Sequence, residues 1–86
     1  MPDKRSYHVS SAVVSVAPES RQAVLAALPA VQGVEVHAAE DTRIIITIEG
    51  HSTGELGDRL NAISVMDGVV AANMVFELSE KEEVRP

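Results

Sequence analysis

Four segments of the chain are rich in apolar and β-branched residues, which is typical of β-strands. Residues 7–16 combine β-branched side chains with small polar ones, and residues 34–38 alternate strictly. The isoleucine-rich residues 43–49 and the apolar residues 69–78 predict two further strands. A turn-forming cluster at residues 40–42 joins the second strand to the third, so the pattern predicts a hairpin there.

Two other segments have the apolar spacing of short amphipathic helices. The first follows Pro18, which suits a first helical turn, and ends at Pro29. The second begins after Ser52, which has the spacing of a capping box with Glu55. In such a box the serine oxygen accepts from the N3 amide and the glutamate reaches back to the cap. Its apolar face consists of Leu56, Leu60 and Ile63.

The order βαββαβ predicts an α+β fold of the ferredoxin-like type. Such a fold has a four-stranded antiparallel sheet, here in the order 4-1-3-2, with two helices on one face. A weak internal echo between residues 30–36 and 65–71, both helix exits that lead into strands, supports two related βαβ units. We expect the domain to span residues 7–78, between a flexible N-terminal arm at 1–6 and an acidic C-terminal tail at 79–86.

This topology leaves one face of the sheet without helices, and strand alternation predicts which residues lie there. The more apolar set of each strand should face the helices: Ala12, Val14, Val16, Ile44, Ile46, Ile48, Val70, Ala72, Met74 and Phe76. The opposite set defines the open face: Val9, Ser11, Val13, Ser15, Ile45, Thr47, Glu49, Asn73, Val75 and Glu77. Its small polar and scattered apolar side chains would accept a helix laid across the strands.

Acidic residues are predicted at one end of the open face. The third and fourth strands run parallel to each other, so Glu49 and Glu77 should finish at the same end, followed by Glu80, Glu82 and Glu83. Arginine and carboxylate groups form strong, often bidentate ion pairs. The acids therefore predict a partner that carries arginines.

The composition narrows the possible functions. Thirteen acidic against seven basic residues give a formal net charge of −6, which repels phosphate backbones and anionic membranes. Aromatic residues make up 2% of the chain and cysteine is absent, which excludes base-stacking surfaces, disulfides and thiolate chemistry. No apolar run approaches the ~18 residues that cross a bilayer, and polar residues interrupt the only candidate for a secretory signal. We expect a soluble cytoplasmic protein without a metal, a cofactor or a nucleic-acid partner, and with no insertion into membranes.

Several short motifs resemble those of one known family. They are residues 7–14, the helix exit 31–36, the strand 44–49 and the segment 66–76, followed by an acid-rich tail. In order, spacing and total length they resemble the NapD family over about residues 7 to 83. Members of that family are cytoplasmic chaperones of NapA, the catalytic subunit of the periplasmic nitrate reductase.

The resemblance implies a function for the open face. NapD proteins have the ferredoxin-like fold and bind the twin-arginine (Tat) signal peptide of NapA as a helix against the uncovered sheet face. Binding holds the precursor back from export until its molybdenum cofactor is loaded. By resemblance, Ser11 and Val13 belong to this surface, and Tyr7 and Phe76 match aromatic residues of the family. The resemblance thus implies a chaperone without enzymatic activity, and we expect a monomer or weak homodimer.

Other proteins with this fold have other functions. RNA-binding domains carry aromatic residues on the middle strands, where this chain has Ile45 and Thr47. Acylphosphatase-like catalysis needs an arginine-lined anion loop, whereas residues 15–21 are acidic at the tip and contain no glycine. His8 and His51 lie at strand ends, but no ligand spacing supports a metal site, so exposed polar residues are expected. A small-ligand regulatory module similar to an ACT domain stays open as the alternative function.

Overall fold

The computed structural model describes the backbone of residues 6–81 and the side chains of residues 8–75. Its strands and α-helices are β1 (Ser6–Val16), α1 (Arg21–Ala27), β2 (Val34–Glu40), β3 (Arg43–Gly50), α2 (Thr53–Ser64) and β4 (Val69–Lys81). The four strands form one antiparallel sheet in the order β2-β3-β1-β4, which is the predicted order read from the other edge. The predicted ferredoxin-like topology is confirmed.

The core lies between the helices and the sheet. Alternation is confirmed on the two central strands, where the inward-facing residues are between 0% and 3% exposed: Ala12, Val14, Val16, Ile44, Ile46 and Ile48. Val24 and Leu28 cover them from the first helical segment, and Leu56 and Ile63 cover them from α2. Since each valine, leucine or isoleucine side chain contributes about 1.5–3 kcal/mol on full burial, this layer is the main source of stability.

Ser10 is the polar exception among the buried side chains that the structure describes. It is 0% exposed, and its hydroxyl oxygen has no hydrogen-bond partner. The register places it opposite Ile48 of β3, in the same layer as the aliphatic residues. A buried hydroxyl without a partner costs free energy, so this position weakens the core.

Three extra residues interrupt the strand ladders. β2 has one, His37, opposite β3, and β4 has two, Val70 and Val75, opposite β1. Each is a β-bulge, which adds a residue to one strand and breaks the two-residue alternation. The prediction that Val70 faces the helices is therefore wrong, because this side chain is 71% exposed. Beyond the bulge in β2, Ala38 pairs with Ile45 on the open face, where strict alternation had placed it inward.

The first predicted helix is divided into three pieces. A 3₁₀ turn at Pro18–Ser20 precedes α1, and a second 3₁₀ turn at Leu28–Ala30 contains Pro29. Proline lacks an amide hydrogen and clashes with the preceding turn, so the regular α-helix ends before it. The outer strands also run further than predicted, β2 to Glu40 and β4 to Lys81.

The internal echo of the sequence corresponds to a shared backbone conformation. Gly33 before β2 has a φ of 82° and Gly68 before β4 has a φ of 93°. Only glycine adopts this left-handed region without steric cost. A β-carbon on Gly68 would also lie 2.4 Å from Cβ of Ser20, so the second exit needs a glycine for space as well.

Candidate functional site

Cross-strand pairing arranges the open face in rows, because directly opposed residues of an antiparallel sheet share a face. The central row runs across all four strands and consists of Ala38, Ile45, Val13 and Asn73. Toward the C-terminal end of β3, the next row consists of Glu35, Thr47 and Ser11. Beyond that row, Glu49 pairs with Val9. On the opposite side the row is Glu40, Arg43, Ser15 and Ala71. The structure thus brings nine of the ten predicted site residues to one surface or its β4 edge.

The middle of the open face is apolar and accessible. Ile45 is 37% exposed, and Val13 beside it on β1 is half-buried. At the β4 edge, Val75 is 60% exposed. The other side chains of the central row are Ala38 and Asn73, neither of which is bulky. Such an exposed apolar strip with a polar rim is typical of a surface that receives a partner.

A histidine on the open face was not among the site residues predicted from the sequence. His37 Nε2 lies 2.9 Å from Thr47 Oγ1 and 4.0 Å from Glu35 Oε1. Glu35 lies between Val34 and Val36 in the alternating segment, so alternation was the signal that could have placed Glu35 on the open face. The same alternation puts His37 on the side of Glu35, so it could have found both residues. The bulge that His37 forms in β2 is set by pairing with β3, and no sequence pattern marked it.

The charged groups of the open face are separated along the strands. Glu49 and Glu35 lie toward the end of β3, and they are diagonal neighbours because Glu35 pairs with Thr47. Arg43 lies at the start of β3, next to Ser15 of β1. The open face therefore has two acids toward one end, an apolar centre, and an arginine paired in register with Glu40 at the other end.

Glu77 is the predicted site residue whose side chain lies outside the described ones. The backbone register pairs Glu77 with Ser10, because Val75 is an extra residue in β4. The unbroken alternation that predicted Glu77 beside Glu49 does not hold past Val75. The other side chains of interest outside the described ones are Tyr7, Phe76, Glu80, Glu82 and Glu83.

The backbone of Glu49 is hydrogen-bonded to Gly33, just before β2, and to Arg59 of α2. Its amide donates to the carbonyl of Gly33 at 2.8 Å, and its own carbonyl accepts from Nη1 of Arg59 on α2. The Arg59 side chain is 19% exposed, and its Nη2 lies 3.7 Å from Oε1 of Glu55. An open cavity of about 300 Å³ lies at this junction, lined by Gly33, Glu49 and Arg59 among others.

The capping box at the start of α2 is confirmed with one difference. The Ser52 hydroxyl accepts from the Glu55 amide at 3.1 Å, as predicted. Glu55 reaches back one residue further than predicted, because Oε1 accepts from the amide of His51 at 2.8 Å. That hydrogen bond is the main reason why the pKa of Glu55 lies below its usual value of 4.5. Desolvation, the next largest effect, raises the pKa, and the charges of Arg59 and His51 lower it further.

His8 pairs with Gly50, the neighbour of His51, so the two histidines lie at the same end of the sheet, with His8 half-buried and His51 exposed. Among the side chains that the structure describes, no group of three histidine, aspartate or glutamate residues could hold a metal ion. No helix in the described part of the chain combines the length and apolarity needed to cross a bilayer.

Known proteins are similar to this chain in sequence or in fold. A protein named Chaperone NapD from Paracoccus pantotrophus is 40% identical over 75 residues, which cover 87% of this chain and 67% of that protein. The solution structure of the E. coli Tat proofreading chaperone NapD superposes with a TM-score of 0.77 at 24% identity, covering 81% of this chain and 76% of that one.

A more distant likeness, to the C-terminal domain of the MgtC protein from Mycobacterium tuberculosis, has a TM-score of 0.50 at 19% identity over 88% of this chain and 93% of that one. At these identities the two solved structures establish the fold alone. The family model described as NapD protein matches residues 7–81, nearly the whole chain. With the identity to the Paracoccus protein, this match establishes that the chain belongs to the NapD family.

Proposed function

We propose that this protein is a cytoplasmic, non-enzymatic chaperone that binds a twin-arginine signal peptide on its open sheet face. The peptide belongs to the precursor of a NapA-type periplasmic nitrate reductase, and binding delays export until the cofactor is loaded. The observation that carries the proposal is the open face itself, with its apolar centre and its separated charges. Family membership supports the choice of partner.

The dimensions of the open face suit a single helix. Strands lie about 4.8 Å apart, so four strands give a surface about 14 Å wide. An α-helix with its side chains is about 10–12 Å across. One helix therefore covers the central row, where Ile45 and Val13 meet its apolar stripe.

The charges of the open face suit a peptide with cationic residues before its apolar segment. Signal peptides place their basic residues in that order. Glu49 and Glu35 attract the arginines at one end, whereas at the other end the charge of Glu40 is offset by Arg43, its partner in the register. Glu49 is the stronger candidate of the two acids because it is half-buried, where an ion pair is less screened by solvent.

Calorimetric titration with a twin-arginine signal peptide tests the proposal directly. We expect saturable binding, and a peptide with both arginines replaced by glutamine should bind more weakly. Absence of binding of the native peptide at up to about 100 μM, equivalent to about −5.5 kcal/mol, would exclude the proposed function.

Two sets of variants test the location of the site. Ile45→Asp should abolish binding, whereas Val65→Asp should leave it unchanged, because Val65 is 73% exposed at the end of α2, away from the open face. Glu49→Gln combined with Glu35→Gln should weaken binding and flatten its dependence on salt. Unchanged affinity at low salt would remove the role of these acids and leave the apolar contact standing.

A further inference from the structure

We propose that Arg59 is a positioning residue, which lies on the helix side of the sheet and holds Glu49 in place for the cationic end of the partner. This inference rests on the proposed function, because it assigns Glu49 to the bound arginines. Arg59 itself does not face the partner. It acts through the backbone of the residue that does.

The contacts of Arg59 fix the end of β3. One guanidinium nitrogen donates to the carbonyl of Glu49, and the other lies 3.7 Å from Oε1 of Glu55. Glu55 is itself held by the amide of His51 at 2.8 Å. The planar guanidinium thus ties the first turns of α2 to the last residues of β3, and this fork requires two separate nitrogens.

The preceding peptide unit, which carries the Glu49 amide, is also restricted. The Glu49 amide donates to the carbonyl of Gly33 at 2.8 Å. A β-carbon on Gly33 would lie 2.5 Å from the Glu49 carbonyl oxygen and 2.8 Å from Nη1 of Arg59. The close approach of the three groups therefore depends on a glycine at residue 33. Both backbone polar groups of Glu49 have fixed partners, which limits the directions in which its side chain leaves the strand.

The sign of the expected effect separates positioning from charge. Arg59 is a cation near the site of a cationic partner, so its charge alone lowers affinity for that partner. Neutralising it would then strengthen binding. If Arg59 positions Glu49, its loss instead weakens binding, because the carboxylate is no longer presented at the open face.

The test is calorimetric titration of a twin-arginine signal peptide against the full chain and its variants. We expect Glu49→Gln to weaken binding about fivefold, the size of one surface ion pair of about 1 kcal/mol. Arg59→Gln should weaken binding by about twofold to fivefold and reduce the salt dependence as Glu49→Gln does. The double variant should bind no more weakly than Glu49→Gln alone, because both changes remove the same ion pair.

Arg21 provides a matched control. Its Nε donates to the carbonyl of Asp41 at 2.8 Å, in the turn at the other end of β3. Arg21→Gln removes the same charge and the same kind of contact, far from Glu49. We expect unchanged or slightly stronger binding for this variant.

Arg59→Lys tests the inference at constant charge and keeps it testable if Arg59→Gln does not fold. One ammonium group cannot occupy both positions of the guanidinium fork, so binding should weaken about twofold. Stronger binding of Arg59→Gln, or wild-type affinity and salt dependence in Arg59→Lys, would overturn the inference. Additive losses in the double variant would also overturn it. In each case binding by the wild-type protein would leave the proposed function intact, whereas failure of the wild-type protein to bind would remove both.

Discussion

The two faces of the sheet differ most clearly within β3, where adjacent residues point in opposite directions. Ile44, Ile46 and Ile48 are 0% exposed beneath the helices, whereas Ile45 between them is 37% exposed on the open face. The same residue type thus stabilises the fold at one position and is available to a partner at the next. In this small domain, one face of the sheet supplies stability and the other is the proposed binding surface.

The largest expected effect comes from truncating neighbouring isoleucines of β3. Ile46→Ala should lower the free energy of unfolding by about 2–5 kcal/mol, because it removes buried methylenes and leaves a cavity. Ile45→Ala should change it by about 0.5 kcal/mol or less, since the side chain is already partly hydrated. Equilibrium unfolding in urea measures both values.

Binding should show the opposite order for the same two variants. Ile45→Ala should weaken binding of the signal peptide about fivefold, and folded Ile46→Ala should bind as the wild type does. Equal losses of stability in the two variants would contradict the separation between the faces.

The second prediction concerns Gly33, which lies in close contact with Glu49 of β3 and Arg59 of α2. Gly33→Ala should destabilise the protein by about 2 kcal/mol or more, since alanine at a φ of 82° is strained and its β-carbon meets the Glu49 carbonyl. Gly57→Ala is the matched control, because a β-carbon there meets nothing within 4 Å. This control should be more stable by about 0.8–1 kcal/mol, the difference in helix propensity. Equal melting temperatures for the two variants would show that the contact at Gly33 is easily relaxed.

The third prediction concerns the polar exception on the covered face. Ser10→Ala should raise the free energy of unfolding by about 1 kcal/mol, because it removes a buried hydroxyl without a partner and leaves almost the same shape. Ser11→Ala, on the open face, should have little effect on stability and serves as its neighbour control. A loss of stability in Ser10→Ala would show that the hydroxyl makes a hydrogen bond in solution.

The smallest effect concerns pH. The pKa of Glu55 is lowered in the folded state, so its contribution to stability is present above pH 4.5 and is lost as the pH falls through the folded value. Glu55→Gln should therefore have a melting temperature that depends less on pH between about pH 5 and pH 3. Ser52→Ala, which removes the cap oxygen without removing a titrating group, should lower the melting temperature by a similar amount at each pH. An unchanged pH profile in Glu55→Gln would contradict the assigned hydrogen bond to His51.

The sequence predicted the topology and the central strands because their alternation is uninterrupted. Residues 43–49 follow the two-residue period without a break, and their register against β1 is continuous. The capping box at Ser52 was equally readable, since it depends on contacts within four residues. Local patterns of this kind need no knowledge of neighbouring strands.

The outer strands were harder to predict, because a bulge is set by the pairing of two strands rather than by one segment. Val70 was placed on the wrong face for this reason, and the partner of Glu77 in the register differs from the one that alternation gives. Ala38 lies on the other face for the same reason, because His37 is an extra residue in β2. Within the described residues, the central rows of the site were thus predictable and its margins were not.

All three extra residues lie in β2 and β4, the two strands with a free edge. A free edge offers unpaired amides and carbonyls to any extended chain, and a second sheet can grow from it. Each bulge takes one backbone unit out of the ladder and increases the local twist, so a continuous fifth strand pairs poorly. The protein can therefore present apolar residues on an uncovered surface while its edges discourage polymerisation, which favours partners that arrive already helical over partners that arrive extended.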